Sequence, residues 1–156
     1  MRRGMICLLV VVCLLTGCAD GYPEGATIQC KDLTFTIPGD FIDLSGERIG
    51  DGDFLYGRNT LIFTGFAEDK ATLKKMTLDE YTAYVISGNK LSCSPTVFGD
   101  GYLFSYTATI DGAPYTYTIV TREGTTHFWI FQFYCPTADL SQNQPEIDMI
   151  LASLQF

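Results

Sequence analysis

Chemistry in this chain has few carriers: six cysteines, one histidine and 18 acidic residues. Nucleophilic catalysis needs a nucleophile, a base and a group that orients the base. His127 is the only histidine, it opens an aromatic run beside Thr125 and Thr126, and no Gly-x-Ser-x-Gly elbow occurs. It reads as a structural or surface residue. Cys30, Cys93 and Cys135 lie 63 and 42 residues apart, which matches no zinc pattern. Gly50-Asp-Gly-Asp53 places two carboxylates two apart in a loop, but the third ligand, the sixth-place Gly and the twelfth-place Glu of a helix-loop-helix calcium site are missing. No catalytic residue, metal ligand set or cofactor motif is assigned. No pair of acids stands out for glycoside hydrolysis either.

The cysteine with a clear assignment is Cys18. Arg2 and Arg3 form a positive head, residues 6–15 are ten consecutive apolar residues, and Thr16-Gly17 precede the cysteine. Ten residues are half of the roughly 20 that span a bilayer, so 1–17 reads as a secretory signal peptide. Small residues directly before a cysteine resemble the bacterial lipobox, which implies that Cys18 becomes the lipidated first residue of the mature chain. One acyl chain holds a protein only marginally; the two or three chains of a lipoprotein hold it stably. Residues 18–26, with two Gly and a Pro, then form a tether, and 27–156 a single domain of ordinary size.

Loss of the signal removes Arg2 and Arg3 and leaves a net charge near −10, which excludes nucleic acid and a polybasic grip on anionic lipid. Cys7 and Cys13 leave with the signal and Cys18 is taken by lipid. Three cysteines remain outside the cytoplasm, where a disulfide can form, with one left over.

These residues are positioned by a core strand, His127-Phe-Trp-Ile-Phe-Gln-Phe-Tyr-Cys135. It is apolar on both faces apart from Gln132, so it is covered on both and central in its sheet. Upstream, 27–30 and Leu33–Ile37 form a hairpin, Phe54–Arg58 and 61–66 a second one, and 68–75 a charged connection. Thr77-Leu-Asp-Glu80 has the form of a capping box and opens a helix of about eleven residues, stopped at Gly88-Asn89. A meander follows: Thr96–Phe98, 102–110, the Asp111-Gly112 turn, then 113–121 and the core strand. Residues 139–144 read as a polar loop, and Pro145 starts a closing helix with Ile147, Ile150, Leu151 and Leu154 on one stripe. The fold class is α+β, an antiparallel meander with helices packed on it.

In such a meander the end of the core strand, Cys135, lies toward Ile110. Cys93, just before Thr96–Phe98, lies toward the same end. A Cys93–Cys135 disulfide with Cys30 free is the expected pairing. Tyr102, Tyr106, Tyr115 and Tyr117 crowd the meander and form a candidate binding face for an apolar ligand or a partner's edge. The plainer reading is that tyrosine favours half-buried strands.

The order of elements resembles the PsbP-like fold, shared by a photosystem II extrinsic protein, DcrB-like lipoproteins and many uncharacterised bacterial lipoproteins. The resemblance rests on the alternating strand ending Ile37-Pro38-Gly39, the capped helix at 78–87, the meander and the closing Leu151-Ala-Ser-Leu-Gln-Phe156. It implies an antiparallel sheet with helices on it and carries no shared catalytic motif. The expectation is an extracytoplasmic lipoprotein, anchored to a bacterial membrane, whose domain binds an envelope protein or a small ligand without catalysis. The alternative is an envelope-acting hydrolase using some of the carboxylates.

Overall fold

A computed structural model describes residues 25–47 and 52–156. The expected signal peptide 1–17, Cys18, the expected tether up to residue 24 and the Asp51 end of the Gly50–Asp53 loop lie outside the described residues. Among the described residues there are nine strands and two α-helices: β1 (Ala26–Cys30), β2 (Leu33–Ile37), β3 (Ile42–Asp43), β4 (Phe54–Arg58), β5 (Leu61–Asp69), α1 (Leu78–Gly88), β6 (Thr96–Phe98), β7 (Gly101–Ile110), β8 (Ala113–Glu123), β9 (His127–Pro136) and α2 (Leu140–Ala152). The architecture is α+β, and every strand pair is antiparallel.

Seven strands form one sheet in the order β3-β4-β5-β9-β8-β7-β6. The aromatic run is therefore the middle strand, and its side chains divide by parity, as the period of two requires. Trp129, Phe131, Phe133 and Cys135 face a cluster with Leu33, Phe35 and Ile37 of β2 and Ile147, Ile150 and Leu151 of α2. Phe128 and Ile130 face the other way, onto Tyr81 and Val85 of α1. The molecule is three layers: β1, β2 and α2 on one face, the sheet, and α1 on the other.

The first hairpin departs from a one-sheet expectation. β1 and β2 pair only with each other and lie across the sheet as a flap. The alternation of β2 explains this: Leu33, Phe35 and Ile37 are fully buried, so one face of the flap caps the core while the threonines point away. An antiparallel bridge from Thr34 to Gln155 ties it to the end of the chain.

α2 starts at Leu140 rather than at Pro145, and Pro145 lies inside it. The first four helical N–H groups have no intrahelical acceptor anyway. A proline in the second turn therefore loses a single bond, and burial of Asn143 and Ile147 keeps the earlier residues helical. α1 has the reciprocal capping box, with Thr77 accepting from the Glu80 N–H and Glu80 from the Thr77 N–H. Its stripe is Tyr81, Thr82 and Val85, while Tyr84 is 47% exposed. The Thr82 hydroxyl meets that of Thr121 at 2.7 Å, a buried polar pin between α1 and β8.

Candidate functional site

Three residues that could carry acid–base chemistry, Asp32, Thr126 and His127, converge on one spot beside the Trp129 indole. Asp32, in the β1–β2 turn, reaches over the start of β9. Its carboxylate accepts from the Thr126 N–H at 2.6 Å, the His127 N–H at 3.1 Å, the Thr126 hydroxyl at 3.1 Å and the Trp129 indole N–H at 2.9 Å. The His127 Nδ1 lies 3.1 Å from Asp32 and 2.8 Å from the Thr126 hydroxyl. Burial raises the pKa of Asp32, but the hydrogen bonds from Thr126, Trp129 and His127 outweigh it and hold the carboxyl well below its ordinary range. Gly124 makes room for this, because a Cβ there would run into the carboxylate.

The cluster has the membership of a hydroxyl–imidazole–carboxylate triad but not its wiring. In a working triad the carboxylate and the nucleophile bond opposite ring nitrogens, so that a proton passes through the imidazole. Here both sit at Nδ1. The carboxylate is instead spent on two backbone N–H groups and an indole, which makes it a clamp holding the flap to the central strand. His127 is held in this cluster through Nδ1, by Asp32 and the Thr126 hydroxyl. Asp32 gives no signal in the sequence, since Lys31-Asp32 reads only as a turn and its partners lie 94 to 97 residues away.

The structure brings two of the four candidate tyrosines, Tyr106 and Tyr117, into one row with Tyr134. Tyr106, Tyr117 and Tyr134 are successive partners across β7, β8 and β9. Their rings stack at 4.8 and 5.2 Å, tilted by 2° and 20°. Tyr115 lies one rung toward the hairpin end, opposite Ala108, and Tyr102 two rungs the other way, opposite Thr121. Tyr117, in the middle of the row, has a ring stacked on each of its faces. Tyr117 is buried, and Leu91 and Cys93 close over the row. Burial raises the Tyr106 pKa, helped by Tyr117 and Cys93, and burial raises that of Tyr117. The row is core packing with a half-exposed rim.

The cysteines do not pair. Cys30, Cys93 and Cys135 are free thiols. The expected Cys93–Cys135 bridge gets the level along the strands right, since Cys93 lies against Tyr106, whose rung ends at Tyr134. It overlooks two separations. The rung crosses from β7 to β9, with strands about 4.8 Å apart, and Cys135 points to the opposite face from Tyr134, into the α2-side cluster. The sheet itself stands between the sulfurs, beyond the reach of a disulfide. Burial raises the Cys135 pKa, and a hydrogen bond with Asn143 acts against it.

Asp53, the described carboxylate of the glycine-rich loop, pairs with Lys31 and accepts from the Ala67 N–H at 2.6 Å. Among the described residues no three His, Cys, Asp or Glu side chains group as a metal site. A groove of about 490 Å³ runs between the β6–β7 turn and α2, lined by Phe98, Gly99, Arg122, Asp148, Leu151 and Ala152. The Arg122 guanidinium lies 5.7 Å from the Phe98 ring and pairs with Asp100.

No protein-family model matches this chain, and no curated protein sequence matches it. Among solved structures it is similar to a crystal structure from Bacteroides thetaiotaomicron VPI-5482, at 15% identity and a TM-score of 0.56 over 85% of this chain and 48% of that one. The likeness is one of fold, and the chain spans about half the length of that protein. Looser likenesses are to the solution structure of cyanobacterial PsbP from Synechocystis sp. PCC 6803 and to LpqN of Mycobacterium tuberculosis, a protein involved in cell envelope biogenesis. The first has 10% identity and a TM-score of 0.48 over 94% of this chain and 98% of that one; the second has 11% and 0.42 over 84% of each. Likenesses that loose fix neither activity nor partner.

Proposed function

We propose that this chain is a non-enzymatic binding domain, held on the extracytoplasmic side of a bacterial membrane by lipid on Cys18. The observation that carries the non-enzymatic reading is the saturated Asp32 carboxylate. The one hydroxyl, imidazole and carboxylate that meet are locked to each other and to backbone, leaving the hydroxyl no base on the far side of the ring. The tyrosine row and the Arg122 groove, where Asp148 is the one lining carboxylate among the described residues, bring no second acid or base to meet it. The anchor is supported by the Arg2-Arg3 head, the short apolar run and the small residues before Cys18. Among the described residues no helix is long and apolar enough to cross a membrane. The partner is an envelope protein met through a surface of the sheet.

The test is fractionation. Wild-type protein should sediment with membranes and resist high-salt extraction, and Cys18→Ala should be released or left unprocessed. A processed Cys18→Ala protein that stays membrane-bound like wild type overturns the anchor.

A further inference from the structure

We infer that the free edge of β7 is a self-association surface, along which a second copy of this chain adds its own β7 antiparallel with Thr107 on the two-fold axis. β6 pairs with β7 over only three residues, Thr96–Leu103, Val97–Tyr102 and Phe98–Gly101. From Phe104 to Ile110 the outer side of β7 has no strand beside it, and among the described residues no backbone hydrogen bond reaches it. The direction of its groups follows from the turn. Asp111 and Gly112 both have positive φ, so Ile110 and Ala113 close a two-residue hairpin as a hydrogen-bonded pair. The alternation then directs the N–H and C=O of Ser105, Thr107 and Thr109 away from β8. All three residues are exposed.

Exposed edges are ordinarily blunted by charge, proline, a bulge or a cover. The opposite edge has a two-residue strand, β3, flanked by the Arg58–Asp40 ion pair. Residues 104–110, Phe-Ser-Tyr-Thr-Ala-Thr-Ile, carry no charge and no proline, and the pairing with β8 runs without a bulge. The preceding segment passes β7 with Cys93 beside Tyr106 on the α1 side and, among the described residues, makes no backbone hydrogen bond to it.

The edge is complementary to itself in one register. With Thr107 on the axis, Thr107 faces Thr107, and Ser105 of each copy faces Thr109 of the other. Every outward N–H and C=O then finds a partner, in hydroxyl pairs that suit adjacent strands. A register centred on Ser105 drives the second copy into Thr96, and one centred on Thr109 leaves Ser105 without an edge partner. A one-residue slip reverses the faces.

A second copy fits better than an unrelated strand because of where the chain enters. The two-fold axis of an antiparallel pair is perpendicular to the sheet, so the β1, β2 and α2 layers of both copies lie on one side. Gly25 leads into β1 on that side. Two copies held by Cys18 can therefore pair without leaving one membrane, and in this the inference rests on the proposed anchor. Three residues a side make less contact than the roughly 1,200–2,000 Å² of a stable complex. Confinement to one membrane raises the effective concentration that such a contact needs. Two copies of like net charge repel, so the pairing strengthens with salt.

The test uses the full chain in its native membrane, with Cys30→Ala and Cys93→Ala to quiet the two half-buried thiols. Thr107→Cys treated with a short bis-maleimide should give crosslinked dimer several-fold above Val97→Cys, which is 78% exposed but off the axis. Adding Thr109→Pro, which removes an outward N–H and leaves the β7–β8 ladder its bonds, should abolish the dimer at an unchanged thermal midpoint. Equal crosslinking at Val97→Cys, dimer that survives Thr109→Pro, or crosslinks only to other proteins each overturn the pairing. Wild-type fractionation reads the anchor separately. A membrane-bound chain without the Thr107 crosslink refutes the pairing alone, and a soluble chain that crosslinks through Thr107 refutes the anchor alone.

Discussion

At the scale of single residues, Asp32 decides how the flap is held. It accepts four hydrogen bonds from Thr126, His127 and Trp129, and the Trp129 indole is wholly buried. Removing the carboxylate leaves that N–H without a partner, which costs on the order of 1–3 kcal/mol. The sign of the pH dependence follows from the lowered carboxyl pKa. A carboxyl that holds its proton less tightly folded than unfolded contributes stability above its unfolded pKa, about 3.9. That contribution is lost as the pH falls below this value toward the folded one. Asp32→Asn should therefore lower the urea midpoint clearly at pH 7, and the gap to wild type should shrink progressively below about pH 4. A gap constant from pH 7 to pH 2 would sink this account of the clamp.

Elements were legible where local rules decide them. The capping box at Thr77, the Asp111-Gly112 turn, the alternation of β2 and the two-faced aromatic run of β9 each follow from period or turn chemistry. What escaped was set by distant packing: the flap as a separate sheet, the extension of β5 to Asp69, and α2 running back through Pro145. Gly65 belongs to the second group. It faces Phe54 across β4 and β5, and the Phe54 ring lies where a Cβ of residue 65 would be. Phe54 is itself locked, with its centroid 4.7 Å from Phe35 and 5.1 Å from Phe63. Gly65→Ala should destabilise by about 1–3 kcal/mol through overpacking. Combining it with Phe54→Leu should cost less than the sum of the two single changes, since the shorter side chain frees the space. Additive unfolding free energies in that cycle would show that the ring and the glycine do not compete.

At the scale of the molecule, the three-layer arrangement determines what the chain can and cannot join. An antiparallel meander with helices on it is readable from the order of elements, and the half-buried tyrosines are readable as strand formers. The Asp32 clamp and the bare edge of β7 are not, because one joins residues far apart in sequence and the other depends on how short β6 is. The expected disulfide failed for the same reason. Position along the strands followed from the meander, but strand count and side-chain parity place Cys93 on the α1 face and Cys135 on the α2 face of a filled sheet. Bridging them would require breaking β8 away from β9, the best-buried pair of strands in the molecule. If Cys18 carries lipid as proposed, the unfolded, unreduced protein without residues 1–17 should therefore titrate three thiols, at Cys30, Cys93 and Cys135. Reductant should leave its thermal midpoint unchanged, because there is no closed loop whose entropy it could release. One titratable thiol in place of three, or a midpoint that falls with reductant, would mean that the mature chain joins across a sheet that, as described here, keeps the two sulfurs apart.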